Sequence, residues 1–450
     1  MRKDQPLFTS RPVVAFAAML GPAVMLLAGI VANAHGLMND FASYWLAGKL
    51  VAAGHTPYDL TALVRLGANQ GVVFQPGTGY SYPLPFAVLM VPLSALPFGF
   101  AAGLFTAVSL LVFGWAVASW LSDRRTFSGG RSLTLVVALL AGFYPPVGGS
   151  VFFGQANLLV LGGLALGVRC WLWPRGRADW WGGLAIGLVG IVKIAPLALV
   201  LPASLARRLG GVVGIVAGAG APMAAALLLA PFGLGGVRRL AELGAPDPYW
   251  TNESLNGFIS RLTLRNERTV PFLRGLDPTV AAWVLFGVFT IVTLTVLWRA
   301  RDRLATPQGY WLAVGFTLVA AVIATPKNSF WNHVPALVGI GLLIAAVDSG
   351  RGLDRPMRWL VLAWYGTAVV QLMVNGLSGA TLHAWGPIGA LLSSAALIGL
   401  VALWLALGRG LLRVPPTTEP RSRLMGSGER ERTEHLTWQG ARGESRSGSS

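Results

Sequence analysis

The sequence is short of charge and nearly without cysteine. Only 12% of its 450 residues are charged, where a soluble domain carries about 25%, so too little polar surface exists to coat a water-soluble globule. A single thiol, Cys170, excludes an intramolecular disulfide framework and a thiolate metal cluster. A P-loop, a dinucleotide fingerprint and a GxSxG elbow are all missing, which disfavours ATP-driven transport within this chain. The four histidines outside the C-terminal tail show no HExxH-type spacing, so no metal is expected. No internal repeat is evident, which argues against a transporter built from two symmetric halves.

What the chain does have is apolar length. Hydrophobic residues make up 54% of it, mean hydropathy is +0.61, and long apolar runs recur, each closed by arginines. A membrane-crossing helix needs about 20 apolar residues. Spans are predicted near 12–34, 98–121, 132–150, 156–173, 211–231, 279–299, 308–325, 332–349, 358–377 and 385–408. The first lacks a small-residue cleavage site and precedes many more spans, so it is expected to remain as an anchor. Segment 180–208 reads as two short spans meeting near Lys193 and Pro196, because only then does every short arginine-bearing loop fall on one side.

That parity gives about 12 transmembrane helices, all-α, with both termini cytoplasmic. It gathers 25 of the 35 Lys and Arg inside. The net charge of +17 is then a topology signal rather than a nucleic-acid groove. Residues 1–408 form one transmembrane domain, and the basic tail 409–450, poor in apolar residues, is expected to be disordered. Two outer loops are long, 35–97 and 232–278. In the first, Phe41, Tyr44, Trp45, Gly48 and Val51 fall at helical spacing, as an interfacial amphipathic helix would. Residues 84–96 are apolar but too short to span, and are expected to lie interfacially or re-enter.

The candidate site residues gather on the outer side. Asp40 directly follows the first span and suits a general base for a hydroxyl, with helix capping as the alternative. Asp59 follows a Pro-Tyr turn, where capping is the simpler role. Lys193 is the sole Lys or Arg in the middle of an apolar run. It can hold a lipid-linked phosphate or snorkel to the interface. Gln155 and Asn157 offer amides at a span's start, either to a substrate or as caps. Asn252, Asn256 and Arg261 sit in the second long loop, able to bind sugar hydroxyls or phosphate, or simply solvated. TPKNSFWNH (325–333) crowds Lys327, Asn328, Trp331, Asn332 and His333 together. Tyr44, Trp45, Tyr249 and Trp250 can stack on sugar faces.

Taken in order, DFASYWLAGKLVAAGHTPYD, YSYPLPFAVLMVPLSALP, GQANLLVL, GLAIGLVGIVKIAPLALV, NESLNG and TPKNSFWNH resemble glycosyltransferase family 87, also called domain of unknown function 2029. The resemblance covers roughly residues 36–340. It implies a GT-C enzyme at the outer face of the plasma membrane, the inner membrane in a bacterium. Such an enzyme transfers a hexose, typically mannose, with inversion from a polyprenyl-phosphate donor to a glycolipid or glycan hydroxyl. By position in these motifs, Asp40 matches the base, Lys193 the hairpin lysine and His333 the late histidine. Two departures stand out: Leu84 interrupts a Pro pair, and Asn332 replaces the first of a doubled His. The resemblance implies no cofactor. A lipid or solute transporter is the competing reading, in which Lys193 would be a coupling site.

Overall fold

The computed structural model describes residues 10–32, 36–72, 79–122, 130–172, 177–229, 242, 244–273, 275–348 and 353–416. Most of the tail, 417–450, for which disorder is expected, lies outside the described residues. These contain nineteen α-helices and no β-strand beyond one isolated bridge between Asn252 and Ser329.

The chain opens with α1 (Arg11–Val31), followed by α2 (Asn39–Ala52), α3 (Leu60–Asn69) and α4 (Leu84–Ser94), which belong to the first long loop. Next come α5 (Phe98–Leu121), α6 (Arg131–Gly142), α7 (Pro145–Phe153) and α8 (Asn157–Trp171). The hairpin region contains α9 (Arg177–Gly190), a 3₁₀ turn (Ala195–Leu199) and α10 (Val200–Leu205), and α11 (Leu209–Leu229) follows. The second long loop holds α12 (Leu255–Thr263), and the remainder is α13 (Pro278–Arg299), α14 (Pro307–Ala324), α15 (Ala336–Asp348), α16 (Arg355–Asn375), α17 (Gly379–Ala384), α18 (Gly386–Leu392) and α19 (Ala395–Arg413).

Seven of these helices are long and apolar enough to cross a membrane, and α6 with α7, bent by 47°, makes an eighth. Pro145 and Pro146 at the start of α7 explain the bend. Several helices are apolar on every side, which in water would be unsupportable. On α13, Trp283, Val284, Val288, Ile291 and Trp298 are all more than half exposed. An apolar belt of this size marks a lipid-facing surface. The protein is therefore an all-α, multi-pass membrane protein.

Packing concentrates where it positions the site. Helix α1 lies against α5, α6 and α7, α9 against α11, and α14 against α15 and α19. Gly187 of α9 faces the backbone of Ile215 and Gly218, so these two helices approach closer than side chains would allow. In the hairpin region, residues 191–194 separate α9 from the 3₁₀ turn that leads into α10.

Two expectations need correcting. Helix α2 is not an amphipathic surface helix: every residue from Phe41 to Gly48 is buried. Helix α4 covers one side of it, Tyr80 and Phe86 contribute to the same cluster, and Phe105 of α5 closes another face, giving the loop its own apolar core. The last span, expected at 385–408, is broken and re-registered. Helix α18 ends at Leu392 and α19 begins only at Ala395, running on to Arg413. Buried Gln371 satisfies the break, its Oε1 accepting from Ala396 N at 3.2 Å and its Nε2 donating to Ser393 O at 3.5 Å. Freed backbone groups at membrane depth require such partners.

Candidate active site

A cavity of about 700 Å³ opens at one end of the bundle, lined by the start of α2, the α7–α8 junction, the hairpin turn at 192–196, and the segments 247–251 and 325–335. Local chain geometry aims polar groups into it. Gly154 takes φ +68 as the C-cap of α7; a side chain there would collide with Phe41. The left-handed turn that only glycine adopts cheaply delivers Gln155 to the cavity wall.

Gln155 is the hub. Its Nε2 donates to Asp40 Oδ2 at 2.5 Å, and its Oε1 accepts from Tyr82 OH at 2.9 Å and from Lys193 Nζ at 3.3 Å. Lys193 also donates to Tyr82 OH and to Asn332 Oδ1, both at 3.0 Å. Its ammonium lies 4.7 Å from the Tyr82 ring centre. Asn332 Oδ1 also accepts from Asn157 Nδ2 at 3.1 Å, and that amide reaches Trp331 O at 2.9 Å as well. All direct acceptors of Lys193 here are neutral oxygens, and the carboxylate stands one amide away. An anion entering the cavity can replace those neutral acceptors.

Asp40 occupies the first turn of α2, where the helix dipole favours a carboxylate. Its carboxylate accepts from Gln155 rather than capping its own helix. Burial pushes its pKa up to about 6, against the opposing pull of the Gln155 amide and the Lys193 charge.

The expected residues divide into two groups. Asp40, Gln155, Asn157, Lys193 and Asn332 meet around the cavity. Tyr44 sits one layer behind, its hydroxyl donating to Tyr82 OH at 2.7 Å. Tyr249, Trp250, Lys327, Asn328 and Trp331 line it too, whereas Trp45, Asp59, Asn252, Asn256, Arg261 and His333 do not. Trp45 is buried and donates from Nε1 to Leu96 O at 3.1 Å. Asp59 caps α3, accepting from Ala62 N at 3.1 Å. Asn256 Nδ2 donates to Ala245 O at 2.8 Å. Asn252 ties its loop to 325–329: its Oδ1 accepts from Asn328 N at 3.1 Å and from Ser254 Oγ at 2.8 Å. Arg261 is fully buried, donating to Asn252 O at 2.7 Å and to Ser394 Oγ at 2.7 Å, 3.6 Å from Glu253 Oε1. His333 is fully buried, edge-on to Phe330. Asn252, Arg261 and His333 therefore shape the wall from behind.

Tyr82 is the cavity residue that the sequence does not single out, since it stands there only as part of a Tyr-Pro motif. Glu253 is equally inconspicuous. An acid inside an Asn- and Ser-rich turn reads as solvated, yet it is fully buried. Among the described residues no group of three or more His, Cys, Asp or Glu converges as a metal site would.

A large cavity in a multi-pass membrane protein, with a carboxylate and an ammonium on one wall, fits a membrane glycosyltransferase, and similarity to known proteins gives the same class. The profile of glycosyltransferase family 87 matches residues 80–326. The chain belongs to that family. It is also 26% identical over 380 residues to a polyprenol-phosphate-mannose-dependent alpha-(1-2)-phosphatidylinositol pentamannoside mannosyltransferase of Mycobacterium tuberculosis, covering 76% of this chain and 80% of the relative. No solved structure matches.

Proposed function

We propose that this protein transfers mannose from a polyprenyl-phosphate donor to a hydroxyl of a glycolipid or glycan, at the outer face of the membrane and with inversion. The observation that carries the reading is the Asp40–Gln155–Lys193 relay on one cavity wall. Direct displacement needs a base for the incoming hydroxyl and a cation for the departing phosphate, and the Gln155 amide spaces the two along that wall.

The acceptor oxygen attacks the anomeric carbon while Asp40 takes its proton. The bond from that carbon to the phosphate oxygen breaks, and its electron pair stays with the phosphate. Lys193 carries the charge that develops there, its Tyr82, Gln155 and Asn332 contacts holding it in place beforehand. The Gln155 amide keeps the carboxylate aimed. No cofactor takes part in this scheme. The donor is suggested by the mycobacterial relative's name and by a lysine that lines the cavity from within an apolar run. The outer face follows from the arginine distribution.

The test is to incubate purified protein in lipid with a panel of polyprenyl-phosphate sugars and a glycolipid acceptor. Consumption of the mannosyl donor with formation of a mannosylated product is expected. A folded sample that consumes none of the panel but moves lipid or solute across vesicles would overturn the reading in favour of a transporter.

A further inference from the structure

The relay occupies one wall of the cavity. Asn332 joins segment 325–335 to that relay, while 247–251 and 327–328 carry a second set of cavity groups that the displacement does not use. Lys327 Nζ pairs with Asp247 Oδ2 at 3.1 Å, the two side chains 44% and 22% exposed. Beside them Tyr249 is half exposed and Trp250 lines the same cavity, the ring centres 5.9 Å apart. The Arg268 guanidinium lies over the Trp250 ring, 4.0 Å from its centre. Arg268 in turn donates to Asn375 O at 3.2 Å. The Trp250 ring is thus fixed in place.

We infer that Lys327, Asp247 and Trp250 form the acceptor subsite, and that they take a neutral sugar ring, the terminal hexose of the acceptor. The inference rests on the proposed glycosyl transfer and names the wall that recognises its second substrate. Charge decides which substrate goes where. Among the described residues Lys193 has no carboxylate in direct contact, so it suits the anionic donor. Lys327 is already neutralised by Asp247, so this wall offers donor and acceptor groups without net charge, as a polyol requires. Because Lys327 is exposed, water screens the pair and its ammonium can exchange to ligand oxygens. Aromatic faces take the C–H surface of a sugar. The volume is in the range that holds a ligand of several rings, so both substrates fit together.

The test uses the full chain in lipid nanodiscs, with polyprenyl-phosphate mannose as donor and octyl α-mannoside as acceptor. Lys327→Met and Trp250→Leu should each raise the KM for octyl mannoside about tenfold, the size expected for losing a charged hydrogen bond or a stacking face. The KM for the donor should stay within about twofold, and Lys327→Arg should restore the acceptor KM. Because Lys327→Met leaves the Asp247 bond to Tyr249 N intact, the fold has an independent support. An unchanged acceptor KM, or donor and acceptor KM rising together, would overturn the assignment. Saturation-transfer NMR of octyl mannoside on the same variants separates the two readings. If wild type transfers nothing, the glycosyl-transfer reading fails. A saturation-transfer signal that wild type gives and both variants abolish would still support the sugar site, and a signal that the variants leave unchanged would refute it.

Discussion

Asp40 suits the proposed role of base because its surroundings hold its proton more tightly than water would. Burial raises its pKa to about 6, so the carboxylate is ionised at neutral pH yet basic enough to accept a proton during attack. The kcat/KM for transfer should therefore be full above pH 7 and fall as pH drops through about 6. A fall near pH 4, the range of an ordinary carboxylate, would contradict this. Gln155→Ala removes the amide that both aims Asp40 and meets Lys193. It should lower kcat by about tenfold to a hundredfold and shift the acid limb, read from the same pH profile. At this scale the sequence is informative where a charge stands in the wrong solvent. Lys193, a cation in the middle of an apolar run, and Asp40, an acid directly after the first span, announce themselves. Tyr82 does not, because a tyrosine beside prolines at an interface is ordinary, and only the fold brings its hydroxyl to within 3.0 Å of Lys193.

The second long loop is fastened by an element-level device. Arg261 reaches from α12 to Ser394 at the break before α19, while its other contacts hold the backbone of 249–252. Arg261→Met leaves Glu253 buried without its cation and should cost about 3–5 kcal/mol. The double replacement of Glu253 and Arg261 by Met should recover most of that in thermal unfolding. Glu253 itself is pushed up to about 7 by burial, which outweighs the pull of Arg261. A raised carboxyl stabilises the fold below its unfolded value and loses that contribution as pH rises through the folded value. Glu253→Gln should accordingly gain Tm relative to wild type between pH 5 and 8. A constant difference would show that Glu253 does not titrate in that window. Helices such as α5 are legible from apolar length alone, down to Phe98–Leu121. The break at Ser393–Ser394 is not, because no proline or charge marks it and its stability comes from Gln371 and Arg261, distant in sequence. The burial of α2 is hidden for a similar reason: the residues covering it come from α4 and α5.

For the whole molecule, the arginine count proposes an orientation that the fold does not test. In a Cys170→Ala background, a cysteine replacing Tyr249 should react with an impermeant maleimide from outside intact cells, and one replacing Asp302 should not. The reverse pattern would invert the topology. The family and the all-α architecture are both visible in the sequence, because a membrane fixes helix length and charge placement so strongly. The cavity is visible only in part: its motifs are recognisable, but Asn252 and Arg261 belong to its support and not to its lining. The central claim is that one wall of this cavity transfers a hexose with Asp40 as base. Its most direct test is kcat for mannose transfer from polyprenyl-phosphate mannose by purified wild type and Asp40→Asn, both shown to be folded. The account predicts a drop of about a hundredfold to ten-thousandfold in kcat with the donor KM nearly unchanged; full transfer by Asp40→Asn would contradict it.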